Sequence, residues 1–232
     1  MGTIADNIAR IREEIDLAAK EAGRHGKDIT LVAATKMNDS SRVREAIGAG
    51  IDACGENRVQ ELMEKYDEGA YDGKPLHFIG TLQTNKVKYI VGKVSLIQSV
   101  NSIKLAREIS KCAGKLGIVQ DILVEINIGD EESKSGADIS SAHELCREIG
   151  KLPSIRVRGL MTIPPISDDE EKQKSFFVKM KELFIDIEAK KYDNISMEFL
   201  SMGMSGDYKT AISCGANMVR VGTGIFGARH YS

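Results

Sequence analysis

The feature that most constrains the fold of this 232-residue chain is a regular alternation of short apolar, β-rich runs with segments of helical periodicity. Eight strands are predicted, at residues 29–36, 51–55, 76–80, 95–99, 121–127, 155–161, 198–202 and 218–222. Strands joined through helices run parallel, because a parallel pair needs a long crossover connection. Eight such units in one domain most simply close into an α/β fold, the (β/α)8 barrel of the TIM type.

The segments between the predicted strands carry start and stop signals of helices. Ser40 and Ser41 begin one predicted helix that ends near Gly48, and Asn101 begins another that extends to Gly117. Two more are predicted from residue 138 to the residue before Pro153 and from 168 to 191. Residues 4–22 carry isoleucine at positions 4, 8, 11 and 15, one apolar stripe of an extra N-terminal helix. We expect this helix to cover the barrel where no helix follows the eighth strand.

The sequence is predicted to form one domain over residues 1–232. It contains no linker-like stretch, no low-complexity tract and no repeat of fixed sequence. An open, doubly wound sheet is the alternative architecture for alternating strands and helices. The first predicted strand is not followed by a Gly-x-Gly-x-x-Gly motif, which favours the barrel.

Composition excludes several classes of function. The formal net charge is −2 and no dense Lys/Arg tract is present, so we expect no nucleic-acid partner. The sequence has no apolar run of 18 residues and its first segment lacks the apolar centre of a signal peptide, which predicts a cytoplasmic protein without a membrane partner. The four cysteines lie far apart without a CxxC motif, which is typical of reduced thiols and argues against a metal site.

The end of the first predicted strand carries a lysine. Lys36 shares one strand face with Val32 and Ala34, because side chains alternate along a strand. If that face points into the barrel, desolvation disfavours the ammonium form and makes the amine a nucleophile toward carbonyl groups. The alternative is a lysine that extends to solvent at a strand end.

The ends of the last two predicted strands are rich in small and hydroxyl residues. Ser205 precedes a short predicted helix, and Gly222 and Thr223 follow the eighth strand. Backbone N–H groups at such turns bind anions, and TIM barrels often hold phosphate after strands seven and eight. Ordinary turns with helix caps are the alternative, but two such loops on neighbouring strands favour a phosphate site.

Two further polar residues lie near predicted strand ends. Asn57 follows the second strand, where it can contact a ligand or cap the next helix. His77 begins the third strand, near the opposite end of the barrel, and is therefore predicted to be structural. An amine at strand one and a phosphate site at strands seven and eight suit pyridoxal 5′-phosphate (PLP), but class I aldolases combine the same two features.

Several ordered motifs resemble one known family over essentially the whole chain. They are residues 33–36 (AATK), 55–61 (GENRVQE), 77–86 (HFIGTLQTNK), 159–161 (GLM), 201–207 (SMGMSGD) and 219–223 (VRVGT). Together they resemble the pyridoxal phosphate homeostasis protein family, whose barrel is similar to the N-terminal domain of alanine racemase. One departure is Leu76, where the family usually carries an aromatic residue.

The resemblance implies a set of cofactor-binding residues. Lys36 would hold PLP as a Schiff base, and Ser205, Gly222 and Thr223 would hold its phosphate. Arg220 would approach the pyridine nitrogen. The resemblance further implies that Asn57 lines the pocket and that Lys134 is a second lysine near the site.

The resemblance also implies a function without turnover. Members of the family are thought to buffer and deliver PLP, with PLP-dependent apoenzymes as recipients, and so to maintain vitamin B6 and amino-acid homeostasis. The alternative is a PLP-dependent amino-acid racemase, which needs a second acid or base opposite the lysine. In the racemase a further domain of a partner subunit supplies it, and this sequence ends at Ser232 without such a domain. We also expect a monomer, because no predicted helix shows a spare apolar face.

Overall fold

A computed structural model describes residues 2–129, 135–165 and 167–227. Within these residues the strands are β1 (Thr30–Ala34), β2 (Ala53–Glu56), β3 (Leu76–Phe78), β4 (Leu96–Val100), β5 (Gln120–Asn127), β6 (Ala137–Asp138), β7 (Ile155–Met161), β8 (Ile195–Ser201) and β9 (Met218–Val221). The α-helices are α1 (Ile4–Glu21), α2 (Ser40–Gly48), α3 (Val59–Asp67), α4 (Val87–Ile90), α5 (Ile103–Lys115), α6 (Ala142–Gly150), α7 (Glu170–Lys190), α8 (Tyr208–Ser213) and α9 (Thr223–Phe226). Short 3-10 helices lie at Gly26–Asp28, Thr84–Lys86 and Ile139–Ser141.

Eight parallel strands close into a barrel. Their order is β4-β3-β2-β1-β9-β8-β7-β5, and a further pairing between β4 and β5 closes the ring. The predicted (β/α)8 fold is confirmed, since each predicted strand overlaps one of these eight. The two-residue strand β6 pairs with the end of β5 and was not predicted, because two residues carry no periodic pattern.

Strand residues alternate between an outer and an inner core. Leu31 and Ala33 of β1 belong to the large core between the strands and the surrounding helices. Val32, between them, points into the barrel. The inner apolar cluster also contains Ala53, Leu96, Leu123, Met161 and Met218. This alternation decides which residues can reach a site inside the barrel.

The glycine of the motif at residues 159–161 permits a close contact between two strands. Gly159 has a φ of 143°, and a Cβ there would lie 1.9 Å from the carbonyl oxygen of Phe199 on β8. The register between β7 and β8 shifts at this point, as in a β-bulge. Only glycine tolerates both the backbone angle and the close approach.

The N-terminal helix covers the barrel beside its last strand, as predicted, but the expectation that no helix follows that strand is wrong, because the one-turn helix α9 does. The isoleucines of the α1 stripe are buried, and α1 packs against α8 and α9. Burying each isoleucine stabilises the fold by about 1.5–3 kcal/mol relative to leaving it exposed. The Asn7 amide adds a hydrogen bond of 2.9 Å to the carbonyl oxygen of Ile225.

Two properties of the described residues bear on the function classes considered above. Among the helices at residues 2–129, 135–165 and 167–227, none is long and apolar enough to cross a membrane. The same part of the chain contains no group of three or more His, Cys, Asp or Glu residues suited to a metal ion. All four cysteines are free, and burial raises the pKa of the Cys54 and Cys146 thiols to about 12.

Candidate functional site

A cavity of about 980 Å³ opens at the carboxyl ends of β1, β8 and β9. Five of the six predicted site residues line it: Lys36, Ser205, Arg220, Gly222 and Thr223. Its wall also includes Asn38, Arg42 and Phe226 as well as the start of α1. The volume lies at the upper end of the roughly 300–1,000 Å³ that small-molecule sites occupy.

Lys36 lies two residues beyond the end of β1. Ala34 also lines the cavity, so the strand face that carries Val32 and Ala34 leads to the lysine, as the two-residue period predicted. Lys36 is half-buried, and its carbonyl oxygen accepts a hydrogen bond of 3.0 Å from the Asn38 amide. The chain then enters α2, whose first turn is capped by Asp39.

The loops after β8 and β9 meet at the hydroxyl of Ser205. Its Oγ accepts hydrogen bonds from the backbone N–H groups of Gly222, at 3.3 Å, and Gly224, at 3.1 Å. A Cβ at Gly206 would meet no atom within 4 Å, so this side of the loop is open. Backbone donors that converge on one oxygen can also serve an oxyanion in the same place.

Arg220 lies on the inner face of β9 and reaches the floor of the cavity. Its side chain is buried, donating to Ser201 Oγ at 2.5 Å and to the carbonyl oxygen of Thr162 at 2.8 Å. Burial lowers its pKa to about 10, and the charge of Glu125 opposes that shift. At pH 7 the guanidinium therefore stays charged and can only donate hydrogen bonds.

The partners of Arg220 form a hydrogen-bonded chain inside the barrel that sequence reasoning missed. Ser201 Oγ donates to Gln98 Oε1 at 2.6 Å, and Gln98 Nε2 lies 3.0 Å from His77 Nδ1. His77 is buried and is not among the residues that line the described cavity. Burial lowers its pKa to about 4, so it is neutral at pH 7. His77 therefore lies outside the described cavity wall, and its structural role stays a prediction.

A second polar cluster, also missed, lies on the outer face of β1 and β2, directly behind Lys36. Glu56 is fully buried, and its Oε1 accepts from Lys65 Nζ at 2.7 Å and from Thr35 Oγ1 at 2.6 Å. Tyr71 donates to the same oxygen at 3.1 Å. Burial raises the pKa of Glu56 and of the Tyr71 hydroxyl. The polar motif GENRVQE showed that polar residues gather here, but it did not show which residues they pair with.

Asn57 and Lys134 stand apart from the five lining residues. Asn57 follows β2 and is not among the residues that line the described cavity. Its Oδ1 is buried without a hydrogen-bond partner in the described part of the chain. It does not cap the next helix, because the N-cap residue of α3 is Arg58. Lys134 lies outside the described residues.

Comparison with known proteins identifies the class first. Residues 4–230 match the family described as "Alanine racemase, N-terminal domain". The closed parallel barrel and the cavity at its carboxyl end thus define an alanine-racemase-like barrel protein.

A relative of higher sequence identity identifies the family within this class. The pyridoxal phosphate homeostasis protein of Aquifex aeolicus is 43% identical over 226 residues, which cover 97% of this chain and 98% of that protein. The chain belongs to the pyridoxal phosphate homeostasis protein family, as the sequence motifs predicted.

Two solved structures share the fold at full length. The structure of an unknown protein from Bifidobacterium adolescentis has a TM-score of 0.92 at 37% identity, with 96% of this chain and 94% of that chain covered. PipY of Synechococcus elongatus, solved with PLP bound, has a TM-score of 0.85 at 28% identity. That comparison covers 97% of this chain and 100% of PipY.

Proposed function

We propose that this chain binds PLP, buffers its concentration and delivers it to PLP-dependent apoenzymes, and that it thereby maintains vitamin B6 and amino-acid homeostasis. The observation that carries the proposal is one cavity that holds an amine, a set of anion donors and a buried guanidinium. The relatives named pyridoxal phosphate homeostasis proteins and the PLP-bound structure of PipY support it.

The residues of the cavity fit the three functional parts of PLP. Lys36 would hold the aldehyde covalently as an imine, because this residue lines the cavity just beyond the end of β1 and a lysine amine can form an imine with a carbonyl group. The Ser205 and Thr223 hydroxyl groups and the N–H group of Gly222 bind the phosphate. The Arg220 guanidinium donates a hydrogen bond to the pyridine nitrogen.

Asn57 remains a predicted binding residue, although it is not among the residues that line the described cavity. Its buried Oδ1, which has no partner among the described residues, is available to accept a hydrogen bond. Leaving such an atom unpaired costs about 1–3 kcal/mol, so a bound donor would relieve that cost.

The lining of the cavity favours a carrier over an enzyme. Bound PLP supplies an electron sink, which works best with a protonated ring nitrogen. Arg220 disfavours that protonation, because a guanidinium can only donate to the nitrogen. Racemisation also needs a second acid or base; the described lining residues contain no Tyr, His or Cys, and their carboxylates are those of Asp39 and the solvent-exposed Glu45. Hydrogen bonds from Ser41 and the Arg42 N–H hold the pKa of the lining Asp39 below its usual value, which makes it a poor proton donor.

We further propose a monomeric, cytoplasmic protein. The absence of a CxxC motif from the sequence and its four free cysteines support a reducing compartment. Gel filtration with light scattering tests the monomer, and a dimer at micromolar concentration would contradict it.

Borohydride reduction of the PLP complex tests the site. We expect the reduced adduct to map to Lys36, and we expect Lys36→Ala to lose it while retaining some PLP through the phosphate contacts. Lys111→Ala is the matched control, because that lysine is exposed and lies on α5. A principal label on any other lysine would falsify the assignment.

Incubation with L-alanine tests the carrier against the racemase alternative. We expect no enantiomer to accumulate in proportion to the protein added, together with transfer of PLP to an apoenzyme. Efficient racemisation that disappears in Lys36→Ala would replace the carrier by an enzyme.

A further inference from the structure

We propose that Glu56, Glu61 and Lys65, here called the Lys65 cluster, fix the backbone on both sides of Lys36 and so set the direction in which its amine enters the cavity. This inference rests on the proposed function, since it takes Lys36 as the lysine that binds PLP. The three residues are positioning residues, because they act through the Lys36 backbone.

The cluster holds the two peptide groups that flank Lys36. Lys65 Nζ donates to the carbonyl oxygen of Thr35 at 2.8 Å, on the N-terminal side of the lysine. Glu61 Oε1 accepts from the N–H group of Met37 at 2.5 Å, on its C-terminal side. Glu61 and Lys65 are one turn apart on α3 and pair with each other at 2.7 Å. Two side chains of α3 therefore hydrogen-bond to the backbone immediately before and immediately after Lys36.

The backbone after Lys36 needs such a restraint. Met37 has a φ of 61°, in the left-handed region that residues with a Cβ disfavour. Its side chain does not hold it there by packing, because the residue is 58% exposed. The hydrogen bond to Glu61 adds to the two bonds that Asn38 makes across this turn, from its N–H to the carbonyl oxygen of Thr35 at 3.2 Å and from its amide to that of Lys36.

The position of Lys65 is unusual for a residue that merely solubilises a helix. Its side chain is 7% exposed, and it lies between the two carboxylates of Glu56 and Glu61. Taking charges out of water is costly unless their geometry and hydrogen bonds compensate for it. Here the compensation includes a bond to the very peptide group that precedes Lys36.

The cluster lies on the opposite side of β1 from the residues proposed to bind phosphate and ring. In the barrel order, β2 is one neighbour of β1 and β9 is the other. Glu56 lies on β2, whereas Arg220 lies on β9 and Ser205 contacts the loop after β9. Loss of the cluster should therefore affect the covalent step and spare the noncovalent contacts. In that step the unprotonated Lys36 amine adds to the aldehyde carbon, and one water leaves as the C=N bond forms.

A pair of ligands separates these two effects. Pyridoxine 5′-phosphate has an alcohol where PLP has an aldehyde, so it reports noncovalent binding alone. Glu61→Ala should weaken PLP binding about tenfold, the equivalent of one hydrogen bond to a charged group, and slow the appearance of the imine absorbance. Its affinity for pyridoxine 5′-phosphate should stay within about twofold of the original, because the phosphate donors are unchanged.

Two further variants and one control complete the experiment. Glu61→Gln keeps an acceptor oxygen for the Met37 N–H group and should restore most of the imine. Glu61→Asp keeps the charge beside Lys65 but is one methylene shorter, so it should repeat the PLP-selective loss even if Glu61→Ala fails to fold. Ser205→Ala is the control, and it should weaken both ligands together.

Three results would overturn the inference. They are unchanged PLP binding in Glu61→Ala and Glu61→Asp, an equal loss of both ligands in these variants, and no recovery in Glu61→Gln. Failure of the proposed function gives a different result, since the borohydride label of the unmodified protein would then map away from Lys36.

Discussion

The two polar clusters of this barrel hold different parts of the candidate site by different means. The Lys65 cluster lies outside the strand wall and uses charges to hold backbone groups on both sides of Lys36. The hydrogen-bonded chain formed by Arg220, Ser201, Gln98 and His77, here called the Arg220 chain, lies inside the wall. Apart from the guanidinium it is neutral, and it holds one side chain.

The two clusters differ in whether their hydrogen bonds must follow one fixed order of donors and acceptors. Arg220 can only donate, so Ser201 Oγ accepts from it and its O–H donates a hydrogen bond to Gln98 Oε1. Gln98 Nε2 must then donate to His77 Nδ1, which requires a neutral histidine with its proton on Nε2. The chain thus orients a guanidinium through one sequence of donors and acceptors. The Lys65 cluster needs no such sequence, because an ammonium donates to several oxygens at once.

Breaking the charged cluster should have the largest effect on stability. Lys65→Met leaves the fully buried Glu56 without its counter-charge, which we expect to lower the free energy of unfolding by about 3–5 kcal/mol. Urea denaturation followed by circular dichroism measures the loss. Lys111→Met is the control, because its ion pair with Glu108 is exposed and should contribute under about 0.5 kcal/mol. Equal losses of unfolding free energy in the two variants would show that the buried ion pair of Lys65 contributes no more to stability than an exposed one.

The second largest effect that we expect is the loss of stability at low pH through His77 of the Arg220 chain. The pKa of His77 is lowered to about 4 from 6.5, so its contribution to stability is present above pH 6.5 and is lost as the pH falls toward 4. The difference between these two pKa values corresponds to a loss of about 3 kcal/mol in the free energy of unfolding. His77→Gln removes the titrating group, and we expect its unfolding free energy to fall less than that of the unmodified protein over this range. Parallel pH profiles for the two proteins would contradict the buried, neutral assignment.

The smallest expected effect is the removal of one link in the neutral chain. Ser201→Ala deprives Arg220 of an acceptor and Gln98 of a donor, which should cost about 1–2 kcal/mol. Ser99→Ala is a matched control, because Ser99 is also buried and its Oγ has no partner among the described residues. A loss at Ser99 as large as that at Ser201 would mean that the hydrogen bonds of the Arg220 chain contribute nothing specific.

The positions of Lys36, Ser205 and Gly222 could be predicted because their placement follows from local pattern. Alternation along a strand puts Lys36 on the face of Val32, and parallel strands bring all their carboxyl ends to one edge. The barrel itself could be predicted for the same reason, because each strand and helix shows its own period. Small shifts at element ends, such as β8 beginning at Ile195 instead of 198, do not alter this placement.

Apart from the Glu61–Lys65 pair within α3, the pairings of the two polar clusters could not be predicted, because most of them join residues that are distant in sequence. Ser201 and Gln98 are 103 positions apart, and Lys65 lies 30 positions from Thr35. Which residues meet depends on the stagger of the closed ring, and no local pattern encodes that stagger. Asn57 shows the same difficulty: it follows the end of β2, and yet it is not among the residues that line the described cavity.

The packing of α1 against α8 and α9 has a consequence for synthesis on the ribosome. The isoleucine stripe of α1 is synthesised before α8 and α9, two of the helices that pack against α1, which follow about 200 residues later. At roughly 5–20 residues per second, the stripe waits on the order of 10–40 s for its partners. In this interval the part of α1 that α8 and α9 later cover is exposed to solvent. Synthesis of β9 and α9 therefore adds both a part of the cavity wall and a part of the cover of α1.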